Sequence, residues 1–553
     1  MLTVESARTG IDYFLRARFG QYIYAMAGVC VCLLLIGCVN LSSLLLARGL
    51  RRQREIAVRF ALGASRAHVA GIFVLEAILL VAAGASLGAV LADLMDHAIV
   101  RECASMFGNF DLRLAVDART LLFLAAATMS TAAVFAAVSI RQTNPARVSS
   151  RLREEGRGIV GAHGRSQNVL IGVQIALTMM LVAASGLLSS SLKRLDSIGL
   201  GFDTANVEDV MLSERPDSSG IPSPAFYRDL LDRVAALPGV SSAAFTDFVP
   251  LYTFAPPEAV AAIEGAAAGR EFQSSVVAAS PEAFRTMGIR IVAGDSFPPA
   301  GDDSAEPAVI LSQSLAQRLG NPRNLIGRHI RIGSDARYGR LAIRGIASNT
   351  QLSLANADDR TPYIAWVDIW QHPDRQGYPT ILLRSAGAPP GIDALRRVID
   401  RHGPLFVERA RTLDGERDGA LMENRLLAWM SGAFALIALA MAATGLFGIL
   451  SYQVALRTGE IGVRMALGAE RSQIGWLISR QTLTLAGVGC AAGLALSLLA
   501  GRAIAGLLYN VSPYDPLLLG SSCVVLMATA MMAAWLPVHR ASSTDPLTAL
   551  RHE

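Results

Sequence analysis

The sequence predicts an α-helical polytopic membrane protein of about seven transmembrane helices, with one α/β extracytoplasmic domain inserted between two three-helix units. Composition gives the first indication, because 52% of the 553 residues are hydrophobic and 17% are charged, whereas soluble proteins carry about 25% charged residues. Long apolar runs give the second, and an internal repeat gives the third.

Seven apolar runs reach the length of about 20 residues that a helix needs to cross a bilayer. They cover residues 22–47, 69–94, 121–140, 169–192, 426–450, 474–500 and 517–538. The short loops and the C-terminus on one side of these spans hold 17 arginines, against 4 in the short loops on the other side. Because positive charge marks the cytoplasmic side, the region 193–424 is predicted to be extracytoplasmic.

That region has the signals of a mixed α/β domain. Apolar residues at helical spacing predict a helix over 226–237, which Pro238 and Gly239 end, and a second helix over 392–402. Short runs of β-forming residues predict strands over 275–279, 308–311, 341–346 and 380–383.

The two membrane units are copies of each other. REIAVRFALGASR at 54–66 recurs as GEIGVRMALGAER at 459–471, with nine identities in thirteen positions at a constant offset of 405. At the same offset Gly84 and Gly88 recur as Gly489 and Gly493, a small-residue spacing that is typical of helix packing in membranes.

The repeated loop is the candidate functional site. Glu55 with Arg59, and Glu460 with Arg464, can pair four residues apart on a short amphipathic helix. Such a helix could rest at the membrane interface or could dock a cytoplasmic partner, and its preservation in both copies favours docking. The docking residues are predicted to be Glu55, Arg59, Leu62, Gly63, Arg66, Glu460, Arg464, Leu467, Gly468 and Arg471.

No catalytic, cofactor-binding or metal-binding residue is predicted, and the chain is not expected to be an enzyme. Lys193 is the single lysine and follows Leu192, so the GxxxxGK[ST] phosphate-binding loop does not occur. Gly84–Gly88 matches GxSxG, but Ser86 is replaced by Ala491 in the second copy while the glycines recur, which favours helix packing over a protease. The arginine-rich stretch at 141–165 lacks interleaved aromatic residues, so no nucleic acid is expected as a partner.

The repeated EIxVRxALGAxR loops and the DP…ALR tail resemble the FtsX-like permease domain of MacB-type ABC transporters. The segments GFD at 201–203, LPGV at 237–240, FRTMGI at 284–289 and NLIGR at 324–328 resemble the MacB-like periplasmic core domain of that family. Two permease units in one chain are most similar to the duplicated permeases of Acidobacteria, here truncated at the N-terminus. The motif GDSF at 294–297 departs from the Gly-Arg that the family usually has before Asp-x-Phe.

The resemblance implies six segments: a remnant of an upstream periplasmic segment (1–20), a first FtsX-like unit (21–140), a cytoplasmic arginine-rich linker (141–168), a transmembrane helix (169–192), the periplasmic core domain (193–424) and a second FtsX-like unit (425–553). A complete duplicated permease would also have an earlier helix and an earlier periplasmic domain.

The resemblance also implies a multi-pass permease subunit in the bacterial inner membrane, with its repeated loops coupled to a cytoplasmic ABC ATPase dimer that binds the ATP. The periplasmic domain would act on an antibiotic, a peptide or a lipoprotein, with a periplasmic adaptor or the substrate as a further partner. Two alternatives remain open, a non-transporting membrane scaffold that regulates a periplasmic partner and an inactive fragment of a longer permease.

Overall fold

The computed structural model divides the chain into two compact units, Met1–Ser191 with Leu426–Glu553, and Leu192–Arg425. It describes residues 13–51, 64–107, 161–215, 223–252, 256–264, 272–298, 306–332, 339–354, 363–371, 379–387, 390–456 and 470–542, with isolated residues at 58–62, 122–133 and 461–467.

The first unit consists of long apolar helices. They are α1 (Tyr13–Arg51), α2 (Arg66–Phe107), α3 (Gly161–Asp196), α8 (Leu413–Leu456), α9 (Arg471–Ile504) and α10 (Pro516–Ser542). The C-terminal end of α3 and the start of α8 belong to the second unit. Within the described residues these six are long and apolar enough to cross a membrane. The remaining predicted span, 121–140, lies mostly outside the described residues.

Small residues allow α9 of the second copy to pack closely against α3. Helices α3, α8, α9 and α10 share a buried apolar cluster that includes Ile175, Ile449, Ala486 and Ala530. A Cβ atom at Gly489 would lie 2.6 Å from Cγ2 of Ile175. Glycine is therefore required at this position for α9 to approach α3 as closely as it does.

The second unit contains a first lobe built from two β-α-β segments. The first segment is β1 (Val207–Glu214), α4 (Pro224–Ala235) and β2 (Val240–Thr246), and the other is β10 (Thr380–Ser385), α7 (Ile392–His402) and β11 (Leu405–Thr412). Their strands form an antiparallel sheet in the order β11-β1-β10-β2. Apolar residues of α4 and α7, among them Leu230, Leu395 and Ile399, are buried against this sheet.

A second lobe is inserted between β2 and β10. It comprises β3 (Glu258–Ile263), β4 (Phe272–Ala279), α5 (Ala283–Met287), β5 (Ile291–Gly294), β6 (Ala308–Ser312), α6 (Gln313–Leu319), β7 (His329–Ile332), β8 (Arg340–Ala347) and β9 (Ile364–Asp368). Pairing runs β4-β3-β7-β8-β6-β9 and returns from β9 to β4, so these strands form a closed circuit, with β5 added to β8. The circuit surrounds its own buried apolar cluster.

The predicted α/β character of this region is confirmed, although most of its strands were not predicted. Helix α7 covers 392–402 as expected, and each predicted strand lies within a longer one. β9, with the sequence IAWVD, is buried at every position and therefore lacks the alternation that would have identified it. In the membrane unit, α1 already includes residues 13–20 and α3 already includes residues 161–168.

Two of the sequence segments that carried the resemblance meet in the structure. The main-chain N–H of Asp203 donates to the carbonyl oxygen of Met287 at 2.7 Å, which joins the GFD segment to the FRTMGI segment. Gly288 has a φ of +70°, and a Cβ there would lie 2.5 Å from Oδ2 of Asp203. The glycine is needed both for its backbone conformation and for this contact.

Candidate functional site

The second copy of the repeated loop is anchored to the membrane helices by one isoleucine. Ile461 is buried and packs against Ile474 of α9, with Val454, Met465 and Ile478 around them. Val463 and Leu467 lie on the exposed side of the loop, since Val463 is 47% exposed and Leu467 is 83% exposed. The loop thus has one buried and one open apolar face.

The first copy of the loop has the same local geometry where it is described. The N–H of Leu62 donates to the carbonyl oxygen of Val58 at 2.9 Å, and the N–H of Leu467 donates to that of Val463 at 3.0 Å. Leu62 is 82% exposed, almost the same as its counterpart Leu467. Each copy of the loop therefore contains a turn that exposes a leucine at the equivalent position.

Several of the predicted docking residues lie outside the described residues, namely Glu55, Gly63, Glu460 and Gly468, as does the side chain of Arg66. Among the others, Arg59 is half-buried, and Arg464 and Arg471 are exposed. The predicted Glu–Arg pairing within each loop stays a prediction.

A single helix leads from the extracytoplasmic sheet to the second loop. α8 starts at Leu413, directly after β11, and continues for 44 residues to Leu456. At a rise of about 1.5 Å per residue it is about 66 Å long, about twice the thickness of the hydrocarbon core. The helix is long enough to connect both sides of a membrane without a break.

Ion pairs join the last turn of α3 to the first turns of α8. Asp196 lies 3.6 Å from Arg417 and 3.7 Å from Arg425, and Arg425 also pairs with Asp418 at 2.9 Å. The Arg417 guanidinium also donates to the main-chain oxygen of Asp196. These side chains are 33–54% exposed, so each pair contributes little free energy to the association of the two helices.

Arg409 of β11 bridges two buried carboxylates at the start of α8. Its Nη2 donates to Oδ2 of Asp209 at 3.1 Å, and its Nη1 donates to Oε1 of Glu416 at 2.5 Å. The Asp209 side chain is fully buried, and Arg411 lies 3.9 Å from Glu416. The guanidinium also lies 4.5 Å above the ring of Tyr252, where a cation–π interaction is favourable.

Burial dominates the electrostatics of this cluster. The pKa of Asp209 is raised from 3.8 to about 7, because burial and the neighbouring Glu416 carboxylate outweigh the opposing effects of Arg409 and Arg411. Oδ1 of Asp209 and Nε of Arg409 are buried without a hydrogen-bond partner among the described residues. The cluster therefore holds β1, β11 and α8 together under electrostatic strain, and no sequence motif indicated it.

The glycines that were predicted to pack helices differ between the two copies. A Cβ at Gly493 would lie 2.5 Å from Cβ of Met179, in close contact as at Gly489. At Gly84 and Gly88 an added Cβ would meet no atom of the described chain within 4 Å. Ser86, between them, donates to the carbonyl oxygen of Ala82 in its own helix.

Comparison with protein families agrees with this architecture. The model described as FtsX-like permease C-terminal matches residues 27–145 and 432–546, which begin at equivalent positions of the repeat. The model described as MacB-like periplasmic core domain matches residues 120–394. The chain belongs to the MacB/FtsX-like ABC transporter permease family. It is accordingly a multi-pass membrane protein, and its similarity to the Acidobacteria permeases in particular stays a prediction.

Curated relatives of this permease include exporters. It is 28% identical over 285 residues to the pyoverdine export ATP-binding/permease protein PvdT of Pseudomonas putida. The aligned segment covers 49% of the permease and 42% of PvdT. It is 35% identical over 129 residues to the macrolide export ATP-binding/permease protein MacB of Rhodospirillum rubrum, covering 23% and 19% of the two chains. The permease thus spans less than half the length of these relatives.

The solved structures that match include domains from outside the cytoplasm. The periplasmic region of MacB from Actinobacillus actinomycetemcomitans matches 41% of the permease and 97% of its own chain, at 9% identity and a TM-score of 0.27. The extracellular domain of the ABC-type transporter YknZ from Gram-positive bacteria matches 36% and 100%, at 13% identity and a TM-score of 0.25.

Proposed function

We propose that this chain is the transmembrane permease subunit of a MacB-type ABC transporter in the bacterial inner membrane, with its inserted domain in the periplasm. A separate cytoplasmic ATPase dimer would dock on the two repeated loops and supply the ATP hydrolysis. The permease would contribute no catalytic group and would use the resulting motion to export or extract a substrate of the antibiotic, peptide or lipoprotein class.

The observation that carries the proposal is the matched exposure of Leu62 and Leu467. An ATPase dimer presents the same groove twice, so a permease that docks on it needs the same feature twice. The two turns have the same hydrogen bond and the same exposed leucine. A leucine that is more than four-fifths exposed gains about 2 kcal/mol when a partner buries it, and two equivalent leucines give a symmetric partner two equivalent contacts.

Transmission follows from how the second loop is held. Ile461 is buried against Ile474, so a force on the loop moves the start of α9 with it. The same loop follows the end of α8, whose other end leads directly out of β11 in the extracytoplasmic sheet. A displacement of the loop would therefore be carried by α8, which is continuous from Leu413 to Leu456.

Docking is tested by purifying the full chain from membranes of its own host and measuring the vanadate-sensitive ATP hydrolysis that co-purifies. The permease has no phosphate-binding loop, so this activity reports an attached ATPase. We expect Leu62→Ser combined with Leu467→Ser to remove most of it.

Leu517→Ser is the matched control, since Leu517 is 82% exposed at the other end of a membrane helix, and it should leave the activity unchanged. Absence of co-purifying hydrolysis from the unaltered chain would support a non-transporting scaffold instead. Equal losses in the double variant and the control would contradict the assignment of the loops.

A further inference from the structure

Three membrane helices share a buried polar contact that the proposed function does not use. Nδ2 of Asn40 on α1 donates to the carbonyl oxygen of Met441 at 3.2 Å and to Oγ1 of Thr444 at 3.4 Å, both on α8. Nε2 of Gln174 on α3 donates to the same Met441 oxygen at 2.9 Å. Asn40 is 9% and Gln174 is 1% exposed, so these bonds form inside the helix bundle, where unpaired amides would be costly.

The contact depends on the absence of a side chain at Gly445. A Cβ atom there would lie 2.8 Å from Oδ1 of Asn40 and 2.9 Å from both amide atoms of Gln174. Gly445 is thus a socket into which the Asn40 amide fits. Oδ1 of Asn40 has no hydrogen-bond partner among the described residues.

The repeat gives this contact a further meaning. The offset of 405 that relates the two loops makes Gly445 the counterpart of Asn40 and Met441 the counterpart of Ile36. Ile36 and Met441 also lie in one apolar cluster, together with the counterparts Leu33 and Ala438. When equivalent residues of two copies meet, the rotation axis that relates the copies passes between them. Helices α1 and α8 therefore meet at the pseudo-twofold axis of the membrane unit.

At this axis the two copies carry different side chains. Asn40 of the first copy has an amide, and its counterpart Gly445 of the second copy has only a hydrogen atom. A buried asparagine promotes helix association in lipid because its amide is stabilised by a hydrogen bond to a neighbouring helix. Helix α1 of a second chain could supply that hydrogen-bond partner. The socket at Gly445 gives Asn40 a partner within its own chain. A single buried polar residue can specify which helices pair and in which register.

We propose that the Gly445 socket reserves Asn40 for α8 of the same chain, so that the two copies of the repeat pair within one polypeptide and not with a second copy of it. Closing the socket would release Asn40, whose amide would then bond to Asn40 of another chain. Asn40 and Gly445 together thereby determine which helix pairs with α1.

The test uses the full chain in detergent, with every cysteine except Cys32 replaced. Cys32 is kept because it lies on α1 in the same apolar cluster as Ile36 and Met441. Two α1 helices that paired through Asn40 would bring their Cys32 residues together, and mild oxidation would link the chains into a dimer visible on a non-reducing gel. We expect little dimer from the starting protein and about ten times more from Gly445→Leu, the size of effect that one interhelical hydrogen bond supports.

Adding Asn40→Leu to Gly445→Leu should abolish the increase, because the polar group that drives association is gone. Gly28→Leu is the matched control on α1, since a Cβ there meets nothing within 4 Å, and it should behave as the starting protein. If Gly445→Leu is not monodisperse, Gly445→Ala closes the socket with a single methyl group. The proposal is overturned if neither variant raises the dimer, or if the dimer persists without Asn40.

Discussion

The substitution Asp209→Asn tests whether the buried carboxylate beside Arg409 destabilises the extracytoplasmic domain. The pKa of Asp209 is raised from 3.8 to about 7, chiefly by burial. Between these two values the folded domain binds a proton that the unfolded chain has released, so stability falls as the pH rises through this window. The favourable contribution is complete below about pH 4 and is lost above about pH 7. Asparagine has the same shape as the protonated carboxyl group and does not titrate.

The magnitude follows from the size of this pKa shift. A shift of about 3 units at about 1.4 kcal/mol per unit corresponds to about 4 kcal/mol of stability lost between pH 4 and pH 8. Asp209→Asn should therefore make the domain about 2–4 kcal/mol more stable than the native protein at pH 8. At pH 4 the two proteins should differ little.

The assay is urea unfolding of the full chain in detergent at several pH values, followed by the fluorescence of tryptophans that include the buried Trp366. Asp203→Asn serves as the control, because the Asp203 side chain is 61% exposed and pairs with Arg384 at the surface. It should change stability by less than about 1 kcal/mol at every pH. If Asp209→Asn is no more stable than the native protein at pH 8, burial does not dominate at this site and the reasoning is refuted.

Two further substitutions probe the same cluster and the helix packing. Arg409→Met leaves two buried carboxylates without their shared cation and should destabilise the domain by about 3–5 kcal/mol at pH 8, with a smaller loss in the Asp209→Asn background. An unchanged unfolding midpoint would show that Arg409 is not needed. Gly493→Ala places a Cβ 2.5 Å from Cβ of Met179 and should lower the thermal midpoint in detergent by an amount equivalent to about 1–3 kcal/mol. Gly487→Ala, where the added Cβ meets nothing within 4 Å, should not lower the midpoint, and equal losses would contradict the packing argument.

The membrane architecture was predictable because the bilayer imposes a simple requirement. A spanning helix must be apolar over about 20 residues, and this pattern is visible without any tertiary information. The described helices contain six of the predicted spans. The extracytoplasmic domain was harder, since strands such as β1 and β9 are buried on both faces and lose the period of two that identifies a strand.

The repeat singled out both loops as the candidate site, and the docking role of their residues stays a prediction. In the structure Leu62 and Leu467 are almost equally exposed. The Arg409 cluster escaped notice because its carboxylates come from positions 209 and 416, far apart in the sequence and without a shared motif. The one sequence signal for Asp209 was an acidic residue directly before the apolar run Val210–Leu212, and in the structure all four of these residues are buried.

The sequence alone determined the family, the apolar helices and the duplication, because each depends on local composition or on the comparison of one segment with another. Only the tertiary structure decided which residues of the two copies meet. It placed Asn40 over Gly445, and it pressed α3 against Gly489 and Gly493 while leaving Gly84 and Gly88 without a described neighbour. Identical sequence motifs acquire different roles because contacts depend on what lies opposite each residue, and the two copies of this permease have different surroundings.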